Sequence, residues 1–199
     1  MQAISFWQES SVRKVFDAVA LRQETRLTYL HEERDYRVDV STPHITSFDF
    51  KNFFKLQTTL LGLHQIENAS LALAAVEALA NRDLFLLDEL KVRAALRDCC
   101  FIGRLDRRVV SEKTLLIDCA HNPQKMKSLL DTLAQWYPNK RFHFLVAFKK
   151  GKDFRQMLKL IVSLADRIAV TSFSGQQDSV HRSEPAKSII ETLEKQGFK

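Results

Sequence analysis

From Arg108 onward the chain alternates short apolar runs with amphipathic stretches of helical length, and that alternation leaves few folds open. Residues 108–110 and 114–118 read as strands, the second through its Leu-Leu-Ile run. Residues 123–136 read as a helix with Pro123 in its first turn, where a missing N–H costs nothing. A strand at 141–148, a helix at 154–165 opened by Asp153 as cap, and a strand at 167–171 follow. A last helix covers 183–195, with Ser183 as its candidate cap. This β-α-β-α-β-α order predicts an α/β fold, with a parallel sheet covered by helices on both faces.

The first half has a different texture. Residues 11–23 read as a helix with an apolar stripe of Val12, Val15, Phe16, Val19 and Leu21, capped by Ser10 or Ser11. The piece is expected to open on that helix. Runs at 26–30, 36–40, 45–50 and 54–60 are separated by polar or Pro-containing turns, and read as strands of a small mixed or antiparallel stretch. Residues 64–80 are rich in Ala and Leu and read as a mostly buried helix; residues 86–98 read as another. Gly103 then breaks the pattern. The boundary is expected near residue 100, giving pieces 1–100 and 101–199, both incomplete.

Composition narrows the function classes. Of 199 residues 45% are hydrophobic and 27% charged, with a net charge of +6, as in an ordinary folded domain. The densest basic clusters, Arg104/Arg107/Arg108 and Lys149/Lys150/Lys152, lie beside loops. They suit a phosphate-bearing small molecule rather than nucleic acid, which needs a basic face. Cys99, Cys100 and Cys119 are odd in number, with two adjacent, which argues against a disulfide framework and for a reducing compartment. There is no Cys-x-x-Cys metal spacing, no signal-peptide pattern, and no apolar run of the roughly 18–20 residues a membrane-spanning helix needs. A cytoplasmic protein is expected.

Four segments carry chemistry. Asp118-Cys119-Ala120-His121-Asn122-Pro123 follows a strand, where parallel sheets place ligands. Asp118 there either caps the helix or accepts hydrogen bonds from a ribose, and His121 can donate to phosphate or exchange protons. Gly62-Leu63-His64-Gln65-Ile66-Glu67-Asn68-Ala69 opens the Ala-rich helix. Asn68, read as a buried amide, either bonds the local backbone or meets an adenine edge; His64 and Gln65 face the same choice. Arg104, in Gly103-Arg104-Leu105-Asp106, is either a solvated linker residue or a phosphate ligand. The basic turn Lys149-Lys150-Gly151-Lys152-Asp153 could face an anion. It is not a nucleotide phosphate loop, because Val146 and Asp153 stand where that pattern needs Gly and Ser or Thr.

In this order, the motifs L-x-G-x-H-Q-x-x-N-A (Leu60 to Ala69), G-R-L-D (Gly103 to Asp106), D-x-A-H-N-P (Asp118 to Pro123) and the pair Lys152-Asp153 resemble the folylpolyglutamate synthase / dihydrofolate synthase family of the Mur ligase superfamily. The resemblance covers almost the whole chain. It implies the tail of a Mur-ligase-type central ATPase domain, followed by an incomplete Rossmann-like C-terminal domain with a mostly parallel sheet. It implies that Asn68 contacts adenine, Arg104 reaches the ATP phosphates, Asp118 holds the ribose and His121 helps form that pocket, with Arg104 and His121 the catalytic pair. The implied reaction phosphorylates a folate or dihydropteroate carboxylate with ATP and Mg²⁺, and the amine of L-glutamate then attacks the acyl phosphate. The implied parent enzyme is a monomer with no nucleic-acid or membrane partner. The family's phosphate-binding loop, magnesium ligands and modified lysine are expected outside this chain, so the chain has no metal site of its own and is expected to be inactive alone. Cys119 stands where the family has a small residue such as Gly. A non-catalytic remnant that binds nucleotide or a partner, and a Mur-type peptidoglycan ligase, are the alternatives.

Overall fold

The computed structural model describes residues 1–175 and 181–198. They form two units, Met1–Ile117 and Asp118–Lys199, each described separately. The first opens with β1 (Gln2–Phe6), α1 (Ser10–Arg22) and β2 (Arg26–Leu30). β1 and β2 pair in parallel, Gln2 opposite Arg26 through Phe6 opposite Leu30. A helix must intervene because a parallel pair cannot be closed by a tight turn. The chain therefore opens on a strand rather than the expected helix. Its signal was short: Ile4 and Phe6 alternate inward and pack on the core.

β3 (Tyr36–Ser41), β4 (Thr46–Phe50) and β5 (Phe53–Thr58) make an antiparallel meander. Phe48 sits across from Val38 on one side and Leu56 on the other. Alternation puts Phe48, Phe50 and Leu56 on the face covered by α2 (Leu63–Asp83), where Ile66, Leu73 and Ala74 complete the core with Leu30 and Tyr36. Burial pushes the Tyr36 phenol up to about 12, helped by Glu67 and Glu32. α3 (Glu89–Asp98) lies against β5, its N-terminus capped by the Asp88 carboxylate, which accepts from the backbone N–H groups of Leu90 and Lys91. An antiparallel hairpin, β6 (Asp106–Val110) and β7 (Lys113–Ile117), ends the unit.

Two helix readings need correction. No residue of α1 is buried: Val15 is 59% exposed and Leu21 83%. Nor does Ser10 or Ser11 cap it; Glu9 holds that position without a side-chain hydrogen bond. α2 is amphipathic rather than mostly buried, with Gln65, Ile66, Ser70, Leu73, Ala74 and Ala80 inside and Val76 and Leu79 outside. Alanine fits either environment, so an Ala-rich run does not reveal its buried face.

The second unit runs α4 (Pro123–Trp136), β8 (Phe142–Val146), α5 (Phe154–Val162), β9 (Ala165–Val170), the short β10 (Ser174–Gly175) and β11 (His181–Arg182), and α6 (Ala186–Lys195). β8 and β9 pair in parallel, as the strand–helix–strand order required. β10 and β11 pair antiparallel and had no sequence signal at two residues each. α5 is the hub: Phe154, Met157, Leu158 and Ile161 follow helical spacing and are buried, packing among α4, α6 and β9. Asp153 caps α5 by accepting from the Gln156 N–H. Ser183 does not cap α6; its Oγ accepts from the Phe173 N–H, and Pro185 holds the cap position.

Phe48→Ala should destabilise the first unit by about 3–5 kcal/mol, since a fully buried ring leaves a cavity that strands cannot close. The check is a denaturation curve followed by Trp7 fluorescence in a Trp136→Phe background. A second test uses Asp49. Its carboxylate accepts from the Lys55 N–H at 2.8 Å and from Arg37 at 2.9 Å, and these hold it below the usual carboxylate range. A lowered folded value adds stability above the unfolded value and loses it as pH falls through the folded one. Asp49→Asn should therefore be less stable than wild type at neutral pH. The gap should close below about pH 4.

Candidate functional site

The turn into α2 is set by Gly62, at φ +101°. A Cβ there would lie 3.0 Å from His64 Cε1 and 3.1 Å from Leu105 Cδ1. Only glycine fits both the angle and the space. Leu105, itself at positive φ and almost wholly buried, thus seats the Gly103-Arg104-Leu105-Asp106 segment against the start of α2. Two of the four sequence motifs meet here. Leu105 was overlooked because an apolar residue in a linker gives no chemical signal.

Within the turn an amide relay runs along one helix face. Asn68 Nδ2 donates to Gln65 Oε1 at 3.1 Å, and Gln65 Nε2 donates to His64 Nε2 at 3.1 Å. Gln65 is the buried amide; Asn68 is exposed, contrary to the sequence reading. Asn68 spends one donor on Gln65, which orients its head, and an amide carries a second donor and an acceptor besides. Arg104 is half-buried, its guanidinium 5.6 Å from the ring centroid of exposed Phe101. Arg108 is bound by Asp106 at 2.8 Å, an ion pair that raises its proton affinity, so the three-arginine cluster offers fewer unengaged cations than its sequence suggests.

In the second unit Asp118 is not the helix cap. Its carboxylate accepts from the Ala120 N–H at 2.7 Å, and Asn122 caps α4 by accepting from the Lys125 N–H at 2.8 Å. His121 Nδ1 lies 3.0 Å from the Cys119 carbonyl oxygen, and Lys125 Nζ lies 3.4 Å from His121 Nε2. Cys119 is outside the left-handed region, so it carries no glycine-type strain. All three cysteines are free and exposed. At the basic turn, the Gly151 N–H donates to Glu184 at 2.9 Å. The anion expected there is supplied from within the chain. No group of three His, Cys, Asp or Glu side chains that could hold a metal ion occurs among the described residues. No helix among them is long and apolar enough to cross a membrane.

Comparison with known proteins agrees with these motifs. Residues 103–199 match the Mur ligase, glutamate ligase domain. The chain is 29% identical over 130 residues to a dihydrofolate synthase/folylpolyglutamate synthase of Bacillus subtilis, covering 63% of this chain and 30% of that protein. It is 39% identical over 119 residues to the same-named protein of Mycobacterium tuberculosis, covering 56% of this chain and 23% of that one. The structure of a Mycobacterium tuberculosis folylpolyglutamate synthase complexed with ADP superposes with a TM-score of 0.82 at 25% identity, over 99% of this chain and 43% of that chain. The chain thus spans less than half the length of these relatives.

The Gly62–Leu105 contact can be tested by a double-mutant cycle. Gly62→Ala should cost about 1–3 kcal/mol through backbone strain. Combined with Leu105→Ala, the total should fall short of the summed single effects by at least about 0.5 kcal/mol, because the clash with Leu105 is then relieved. Denaturation midpoints and slopes of the four proteins decide it.

Proposed function

We propose that the chain is the C-terminal portion of an ATP-dependent ligase, on the match of residues 103–199 to the Mur ligase, glutamate ligase domain and on its similarity to folylpolyglutamate/dihydrofolate synthases. That ligase adds L-glutamate to folate or dihydropteroate through an acyl phosphate. The observation that carries the reading is the 118–123 loop. Its aspartate is turned onto the loop's own backbone while a separate residue, Asn122, caps the helix. Asp118 lies beside the cap rather than in it, and toward a sugar hydroxyl a carboxylate can only accept.

In this proposal Asp118 holds the ribose and His121 shapes the pocket beside it. Asn68, oriented by Gln65, meets the adenine edge. Arg104, steadied on Phe101, reaches the phosphates. ATP would supply the phosphoryl group that activates the acceptor carboxylate. In this proposal Mg²⁺ is held by residues outside this chain, where it would neutralise charge on the phosphates. The protein works as a cytoplasmic enzyme on small molecules, without a nucleic-acid or membrane partner, and its parent enzyme is a monomer.

Calorimetric titration of the 199-residue chain with ADP should show saturable binding. Asp118→Ala should raise Kd by about ten- to a hundredfold, the worth of one hydrogen bond to a charged group. Supplied with ATP, L-glutamate and dihydropteroate or folate, the chain alone should release no steady phosphate. Steady turnover would overturn the proposal that further catalytic machinery lies outside these residues.

A further inference from the structure

The loop leading into α4 holds one cation that none of the four sequence motifs includes. Lys125 lies in the first turn of the helix, and its Nζ is 3.4 Å from His121 Nε2. On the other side of the ring, His121 Nδ1 is 3.0 Å from the Cys119 carbonyl oxygen. The chemistry of the partners fixes the ring. A carbonyl oxygen only accepts, so Nδ1 carries the proton. An ammonium only donates, so Nε2 presents its lone pair to Lys125. A doubly protonated ring would point an N–H at the ammonium, like charge against like. In this arrangement both ring nitrogens of His121 are engaged, and no N–H is left for an anion. The ammonium spends one of its protons on the ring and keeps the others.

We infer that Lys125, rather than His121, is the side chain of this loop that donates to an anionic oxygen, and that the oxygen belongs to a phosphate of a bound nucleotide. His121 is then a positioning residue: it holds the lysine head, which would otherwise sample many rotamers, near the loop. The ligand class follows from the pair of groups offered. Asp118 is an acceptor suited to neutral hydroxyls, and Lys125, in the first turn of the helix that follows, is a donor suited to an anion. A nucleoside phosphate carries both features; a free amino-acid carboxylate carries only the second. The inference rests on the nucleotide reading of residues 118–123 given above.

The test compares ADP with adenosine on the full chain by calorimetry. Lys125→Gln should weaken ADP about tenfold and leave adenosine unchanged, the loss expected for one charge-assisted contact. Lys125→Arg should recover most of the ADP affinity. His121→Ala should weaken ADP by less than Lys125→Gln does. Ring ¹⁵N spectra should show His121 protonated on Nδ1 and bare on Nε2. The inference is overturned by a Lys125→Gln protein that binds ADP as wild type does, by equal losses for ADP and adenosine, or by a proton on Nε2. Asp118→Ala separates the two levels. If it weakens both ligands while Lys125→Gln weakens neither, the nucleotide reading stands and the role of Lys125 falls. If wild type binds neither ligand, both fall.

Discussion

The first unit depends on one place where a side chain is forbidden. Gly62 takes a backbone angle that L-residues avoid, and Leu105 fills the space its missing Cβ leaves. That contact fixes where α2 begins, and with it the phase of the helix. The phase decides that Ile66, Leu73 and Ala74 face the meander while Asn68 faces solvent. The same contact anchors the segment carrying Arg104. Core packing and the placement of two chemically active side chains thus follow from a single steric exclusion.

The two units were legible in the sequence to different degrees, for physical reasons. α5 was readable because Phe154, Met157, Leu158 and Ile161 repeat at helical spacing on a short element, and burial follows that spacing closely. α4 was readable because Pro123 and Trp136 bracket it, and its observed bounds are the expected ones. α1 carries an equally clear stripe, yet none of it is buried. Periodicity reports which face could be covered, and coverage depends on what lies opposite. β1 escaped notice because five residues with two inward apolar side chains resemble a polar terminus. Its parallel partner lies 24 residues downstream, beyond the reach of local pattern.

The site residues were found by residue type and order, and their orientation was not. Asn68 was expected inside and lies outside, because a helix face is set by a neighbour and not by the helix's average polarity. Asp118 could have been a cap, and three-residue spacing alone could not distinguish it from Asn122. What settles such questions is the donor and acceptor inventory of neighbouring groups. Carbonyls and carboxylates only accept and ammonium groups only donate, while a side-chain amide does both through different atoms.

The basic turn after β8 shows what the same inventory does to charge. Lys149, Lys150 and Lys152 surround Gly151, whose N–H is already bonded to Glu184. That carboxylate is tethered to the same unit, so its effective concentration at the N–H is far above that of a solute anion at ordinary levels. An incoming anion would have to displace a resident competitor that cannot diffuse away. The turn is therefore a poor sink for stray phosphate or carboxylate in spite of its lysines.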